Sequence, residues 1–408
     1  MLYLQSAAKR TRLAIMGMLG SVMLAYLLAV VGLVGTATAA LVCVFLAVWL
    51  STLAGVADRR VALAVVLVVI LVVLSLGVPS DGWDARSIWL FHGKRIFVDS
   101  NLYSQLDGYA GWSQNDYPVL VPMMMAGLAQ LVGGWNEAFP KVAGTLMLLP
   151  AILVIALAFR RVSVLALFAV PLTMLGGPYL INGYMDAILA VYATASMVTL
   201  SALVLAGRDA PMQYRIIYAL LTFVLVLLKN EALVVAAALF ASAFIVFSWR
   251  ERKLPWGMIV AFLIGLVPLL LWKLSVSSHH VVNDLASSNF LGQIQKRLPN
   301  SFYSIFILKD LLLRFWIVLP LILLFIVRKS LKLPPVQITL IASLSYVAIL
   351  YIVYMSTPHD VRWHLQTSSS RTVMPIAMML AFAALAAVDQ SWCQMSAQST
   401  NGNIQEDV

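Results

Sequence analysis

Apolar residues in this chain run in long unbroken blocks, separated by short polar breaks. The blocks fall at about 13–35, 38–57, 61–78, 140–159, 162–181, 187–206, 214–229, 232–249, 256–275, 311–327, 336–355 and 372–388. At ~1.5 Å per helical residue, such lengths approach or exceed a ~30 Å hydrocarbon core. The period-2 alternation of a membrane β-barrel is absent. The pattern therefore predicts an all-α polytopic membrane protein of about twelve transmembrane helices. A shorter apolar piece, 118–133, follows Pro118. As a helix it reaches only ~24 Å, so it is expected to be re-entrant or juxtamembrane. A competing count lets 118–133 span and joins 214–249 into one broken helix.

Basic residues orient the spans, because Lys and Arg concentrate in cytoplasmic loops. Lys9, Arg10 and Arg12, the Arg59-Arg60 and Arg160-Arg161 pairs, Arg208 with Arg215, Arg250 to Lys253, and Arg328 to Lys332 mark that side. The competing count would put Arg160-Arg161 and Arg208 with Arg215 outside. Parity then puts loops 79–117, 276–310 and 356–371 on the external face, together with Asp186 and Lys229-Asn230-Glu231. The first block reads as a retained signal anchor. The expected organisation is two extra N-terminal spans over 1–60, a catalytic membrane domain over 61–390, and a disordered cytoplasmic tail over 391–408.

Composition narrows the function classes. The chain has 408 residues, 62% of them hydrophobic and 11% charged. Its mean hydropathy is +0.94. Soluble domains carry about 25% charged residues, so a soluble enzyme, a disordered chain and a coiled coil are excluded. The formal charge of +10 reads as topology and contact with the lipid bilayer, not as nucleic-acid binding. Cys43 and Cys393 suggest neither a disulfide framework nor a zinc site.

Because charges are scarce, their crowding is informative. Loop 79–117 carries Asp81, Asp84, Arg86, His92, Lys94, Arg95, Asp99, Asp107 and Asp116 beside Trp83, Trp89 and Trp112. Within it, 85–97 has apolar residues at helical spacing, as an amphipathic juxtamembrane helix would. Asp84 stands where an N-cap belongs, or it is a carboxylate held at the membrane face beside Arg86. Asp116 precedes Tyr117-Pro118 in a turn-like position. Asp186 opens an apolar block. Lys229-Asn230-Glu231 interrupts another, where charge is costly unless it is paired or lines a wet cavity. Segment 356–371 gathers His359, Asp360, Arg362, His364 and Arg371. Arg371 beside Ser368 to Ser370 suits phosphate. The spacing of His359 and His364 around Asp360 is a weak metal signal.

Five pieces resemble the GT-C superfamily of integral-membrane glycosyltransferases. They are Gly82-Trp83-Asp84-Ala85 with Ile88-Trp89; Asn115-Asp116-Tyr117-Pro118; Gly183-Tyr184-Met185-Asp186; Leu228-Lys229-Asn230-Glu231; and Thr357-Pro358-His359-Asp360 through Trp363-His364 to Arg371. Dolichyl-phosphate-mannose protein mannosyltransferase-like and aminoarabinose-transferase-like proteins look most similar. The resemblance implies a polyprenyl-phosphate-linked sugar as donor and a glycan, lipid or protein hydroxyl as acceptor. It implies inverting transfer at the external face of a bacterial inner membrane. It makes Asp84 the general base and Asp116 a second catalytic carboxylate. Arg86, Asp186, Lys229, Glu231, His359, Asp360, His364 and Arg371 become substrate-binding candidates, with Arg371 and Lys229 for the phosphate. A divalent cation between Asp84 and Asp116 is compatible with this, though nothing in the sequence requires one. Ala85 departs from the family's pattern, which often has a second acid there, as does Ser370 before Arg371. The alternatives are a lipid-linked polysaccharide polymerase or ligase using 276–310, and a lipid-sugar transporter or flippase.

Overall fold

The computed structural model describes residues 9–54, 58–281 and 289–405, and no strand forms among them. In chain order the helices are α1 (Lys9–Val30), α2 (Thr36–Ala54), α3 (Arg59–Gly77), α4 (Phe91–Asp99), α5 (Leu120–Val132) and α6 (Val142–Leu146). Then come α7 (Leu148–Ala158), α8 (Val162–Gly176), α9 (Asp186–Ala206), α10 (Met212–Val226), α11 (Ala232–Glu251) and α12 (Trp256–Ser278). The last are α13 (Phe290–Arg297), α14 (Ser301–Leu312), α15 (Phe315–Ile326), α16 (Pro334–Ser356), α17 (Val361–Thr372) and α18 (Met374–Gln405). Eight helical stretches among the described residues are long and apolar enough to cross a membrane. Five shorter apolar helices accompany them, and four of these, Ala37–Leu53, Val142–Ala158, Met212–Val226 and Phe315–Ile326, match blocks expected to span. The architecture is that of a multi-pass helical membrane protein.

Helix α9 lies at the centre. Residues 186–204 are all buried, and the helix packs against α7, α10, α11, α16 and α18. A helix apolar on every face has to be enclosed on every face. The outer helices instead expose rows of large aliphatic side chains, such as Val66, Ile70 and Val73 on α3 and Leu263, Leu270 and Leu274 on α12. In water such rows would be an aggregation hazard; against lipid they match the solvent.

Polar contacts sort the helix ends into two groups. At one end Asp58 caps α3 by accepting from the Arg60 N–H, and Arg60 Nη1 donates to the Phe159 carbonyl at 2.6 Å. There too Arg160 N–H donates to Asp389 at 2.7 Å, and Arg215 donates to the Arg208 carbonyl. At the opposite end Ser75 donates to the Ile181 carbonyl at 2.8 Å, Lys141 Nζ donates to the Val78 carbonyl, and Trp272 Nε1 donates to the Asp116 carbonyl at 3.0 Å. Tyr103 reaches the Val30 carbonyl, where α1 finishes, at 3.0 Å.

Helix α5 starts and finishes at this second end. It begins just after Asp116, and its Gln130 meets Thr38 at the start of α2, 3.3 Å away. Its 13 residues reach only ~20 Å, and Trp135 beyond it packs on Phe97 of α4.

One segment differs from expectation. Segment 356–371 is mostly helix: only 357–360 is irregular, and α17 starts at once because Asp360 accepts from the Trp363 N–H at 2.9 Å. That bond satisfies one of the unpaired donors of a helix start. Helix α18 runs to Gln405, and 406–408 lie outside the described residues. Part of segment 276–310, residues 282–288, lies outside them as well.

Candidate functional site

At the second end of the bundle a cavity of about 560 Å³ opens between loop 79–117, the starts of α9 and α11, and the facing surfaces of α16 and α17. Trp83 and Trp112 flank it, their rings 5.6 Å apart and both exposed. One wall is charged. Val234, Ile349, Leu350 and Val353 add aliphatic lining.

The charged wall is a chain of alternating sign. Asp84 stands at the head of a π-wound turn, Ala85–Leu90, and makes no cap bond with its side chain. Its Oδ2 accepts instead from Arg371 Nη1 at 2.5 Å. Arg371 Nη1 also lies 3.6 Å from Asp186 Oδ2. Asp186 Oδ1 accepts from Lys229 Nζ at 2.9 Å, and Lys229 Nζ reaches Glu231 Oε1 at 2.8 Å. Three carboxylates thus hold two cations. Asp186 and Glu231 sit at the starts of α9 and α11, where the positive ends of the helices favour negative charge. The break at 229–231 places ionic groups at the end of an apolar bundle, and pairing offsets most of their cost.

Backbone detail sets Asp84 in place. A Cβ on Gly82 would fall 2.4 Å from the Tyr184 ring, so only glycine lets the loop approach so closely. The Arg371 guanidinium lies 5.4 Å over the same ring, a cation–π geometry. Arg371 Nη2 donates to the Thr367 carbonyl at 3.2 Å.

Asp116 does not join Asp84 in the cavity wall. Asn230 Nδ2 donates to Asp116 Oδ2 at 2.6 Å. Lys273 Nζ lies 3.7 Å from that oxygen and donates to Asn230 Oδ1 at 2.7 Å. Asp116 therefore anchors the 229–231 break to α12. Asp116, expected as a second catalytic carboxylate, has its Oδ2 turned to Asn230 and Lys273. A cation between Asp84 and Asp116 does not fit, since each carboxylate faces a different positive side chain. Among the described residues no three His, Cys, Asp or Glu gather as a metal site.

His359 and His364 line the cavity with ring centroids 6.0 Å apart. His364 Nδ1 contacts Thr357 Oγ1 at 2.9 Å. Asp360 is spent as the cap of α17, and Arg86 is exposed on the π-wound turn. Neither of these two substrate-binding candidates is among the residues lining the cavity. Lys229, a candidate for the phosphate, is flanked by two carboxylates, Asp186 and Glu231. Arg95 is likewise taken by Asp107 at 2.5 Å.

Sequence reasoning passed over Lys273, a lone cation inside an apolar block and a usable signal. It gave no role to Tyr184, and Tyr346 and Tyr354 of the cavity wall carry no sequence signal at all.

Behind the loop, His92 is fully buried. It contacts Ser113 Oγ at 3.0 Å and Asn115 Oδ1 at 3.3 Å. Burial, with the Arg95 charge adding to it, pushes its imidazole down to about 4 despite the Asn115 bond. The folded protein therefore keeps His92 neutral where the unfolded chain, near 6.5, takes up a proton. Stability should fall by about 2 kcal/mol as pH drops from 7 to 5. His92→Gln should flatten that part of a thermal-unfolding pH profile; an unchanged slope would refute the assignment.

Comparison of the chain with family models, with curated proteins and with solved structures finds no match in any of the three.

Proposed function

We propose that the protein is a membrane glycosyltransferase. It takes a sugar from a polyprenyl-phosphate donor and moves it to an acceptor hydroxyl at the external face of a bacterial inner membrane, with about twelve crossings. One observation carries the reading. A carboxylate and an always-charged guanidinium, Asp84 and Arg371, meet at 2.5 Å in a cavity that Val234, Ile349, Leu350 and Val353 also line. A polyprenyl-phosphate sugar has the same mixed character, charged and apolar.

The chemistry follows from these groups. The donor's isoprenoid chain lies along Val234, Ile349, Leu350 and Val353. Its phosphate draws Arg371 away from Asp84, which frees that carboxylate. The acceptor oxygen attacks the anomeric carbon while the bond from that carbon to the phosphate oxygen breaks. The acceptor proton passes to Asp84. The lipid phosphate leaves with its new negative charge against Arg371. A single displacement inverts the anomeric centre.

The polymerase or ligase alternative needs arginines of 276–310 for chemistry. Arg297 instead donates to the carbonyls of Met355, Thr357 and His359, bracing the 357–360 turn. Incubating purified protein with a polyprenyl-phosphate sugar and candidate acceptors tests the reading. Glycosylated product and free lipid phosphate are expected in equal amounts; translocation of intact donor without transfer would make the protein a flippase.

Arg371→Lys separates a phosphate clamp from a simple anchor. Arg371 spans Asp84 and Thr367 with separate nitrogens while lying over Tyr184, and an ammonium cannot copy that fork. Losing a charge-assisted contact of ~1.5–3 kcal/mol should weaken donor affinity roughly 10- to 150-fold. Titration of the variant with donor checks this, and unchanged affinity would remove Arg371 from the phosphate site.

A further inference from the structure

Two buried side-chain oxygens of the cavity lining, one on the charged chain and one on α16, carry no hydrogen bond among the described residues. Among the described residues Asp186 Oδ2 is buried and accepts no hydrogen bond, its contact being the ion pair with Arg371 Nη1 at 3.6 Å, while Oδ1 of the same carboxylate is bound to Lys229. Tyr346 Oη, on α16, is buried with no hydrogen bond among the described residues. The two residues are 4% and 2% exposed, and both line the cavity. Buried polar atoms left without partners are uncommon and costly in folded proteins. One is an acceptor needing a donor. The other is a hydroxyl able to donate or to accept.

We infer that Asp186 Oδ2 and Tyr346 Oη form the seat of the donor's sugar ring and distinguish a sugar-bearing polyprenyl phosphate from the bare lipid phosphate. The inference rests on the proposed function and extends it to substrate recognition.

A phosphate group does not fit this pair. It brings only acceptor oxygens and negative charge, and Asp186 Oδ2 would repel it. A sugar ring brings hydroxyls that donate to the carboxylate and exchange hydrogen bonds with the phenol. Arg371 lies beside both carboxylates. Its Nη1 lies 2.5 Å from Asp84 Oδ2 and 3.6 Å from Asp186 Oδ2. A phosphate held by this guanidinium therefore brings the linked ring within reach of Asp186. Glu231, also in the cavity wall and held to Lys229, keeps that cation from drawing the phosphate inward. A site built around hydrogen bonds to ligand hydroxyls discriminates strongly against a ligand that lacks them.

The test is a pair of binding titrations on full-length protein in detergent, one with a polyprenyl-phosphate sugar and one with polyprenyl phosphate alone. Wild type should bind the sugar-bearing lipid at least ~10-fold more tightly. Tyr346→Phe, which removes one hydroxyl and leaves the ring, should reduce that preference about 5- to 10-fold. Its affinity for bare polyprenyl phosphate should stay within about twofold of wild type, because the phosphate contacts are untouched. Equal wild-type affinity for the two lipids overturns the inference without recourse to any variant. So does a Tyr346→Phe protein that weakens both lipids alike or neither. Wild type that binds neither lipid overturns the proposed function itself and the inference with it.

Discussion

Asp84→Asn should leave a folded protein that transfers sugar at least ~100-fold more slowly, the low end for removal of a general base. Asparagine keeps the volume and one carbonyl oxygen, so Arg371 Nη1 retains a partner where it now meets Asp84 Oδ2. Arg371 also keeps Asp186 nearby, at 3.6 Å. The fold contact therefore largely survives, while the group that takes the acceptor's proton is gone. Donor affinity should hold or improve, since the amide competes with the phosphate for Arg371 less well than a carboxylate does. The control is Asp81→Asn. Asp81 is exposed and lies outside the cavity wall, so that variant should transfer at close to the wild-type rate. Initial-rate measurements on both variants decide the matter. An active Asp84→Asn protein beside an inactive Asp81→Asn protein would mean that the base is the other carboxylate.

The fold was legible where the physics is local and one-dimensional. Block lengths and missing alternation announce helices in lipid. The arginine pairs cluster at one end as charge asymmetry requires, with Arg60, Arg160 and Arg215 all bonded there. Scarce charge also pointed to the cavity: Asp84, Asp186, Lys229, Glu231, His359, His364 and Arg371 line it. What a chain of letters does not carry is which partner each charge finds. Asp116 lies beside Tyr117, a lining residue, yet its carboxylate turns to Asn230 and Lys273. Lys229 looked like a cation free for phosphate, because its second carboxylate, Asp186, is 43 residues away in the chain. Asp360 looked like part of a polar loop, because one side-chain bond to the Trp363 N–H decides where α17 begins. Tyr346 is invisible in sequence, since an aromatic in an apolar block is ordinary until its hydroxyl is found with no hydrogen bond among the described residues.

Removing Lys229 should have the largest effect on stability. Its ammonium is buried and held by Asp186 at 2.9 Å and Glu231 at 2.8 Å. Lys229→Met keeps the length and apolar stem but leaves Asp186, itself almost wholly buried, with only the more distant Arg371 for compensation. Breaking a buried ion pair from one side costs about 3–5 kcal/mol, because the remaining charge stays out of water. The variant should unfold at a markedly lower temperature in detergent and give a low yield of monodisperse protein. Adding Asp186→Asn removes the orphaned charge, so the double variant should recover most of the lost stability, a strong coupling expected of groups in contact. Recovered stability need not bring back transfer, since Asp186 is then absent from the sugar seat. If Lys229 instead served as a phosphate ligand, Lys229→Met would melt like wild type and fail only in donor binding. Thermal unfolding of the single and double variants, read beside donor titration, separates a cation that holds α9 against α11 from one that holds the substrate.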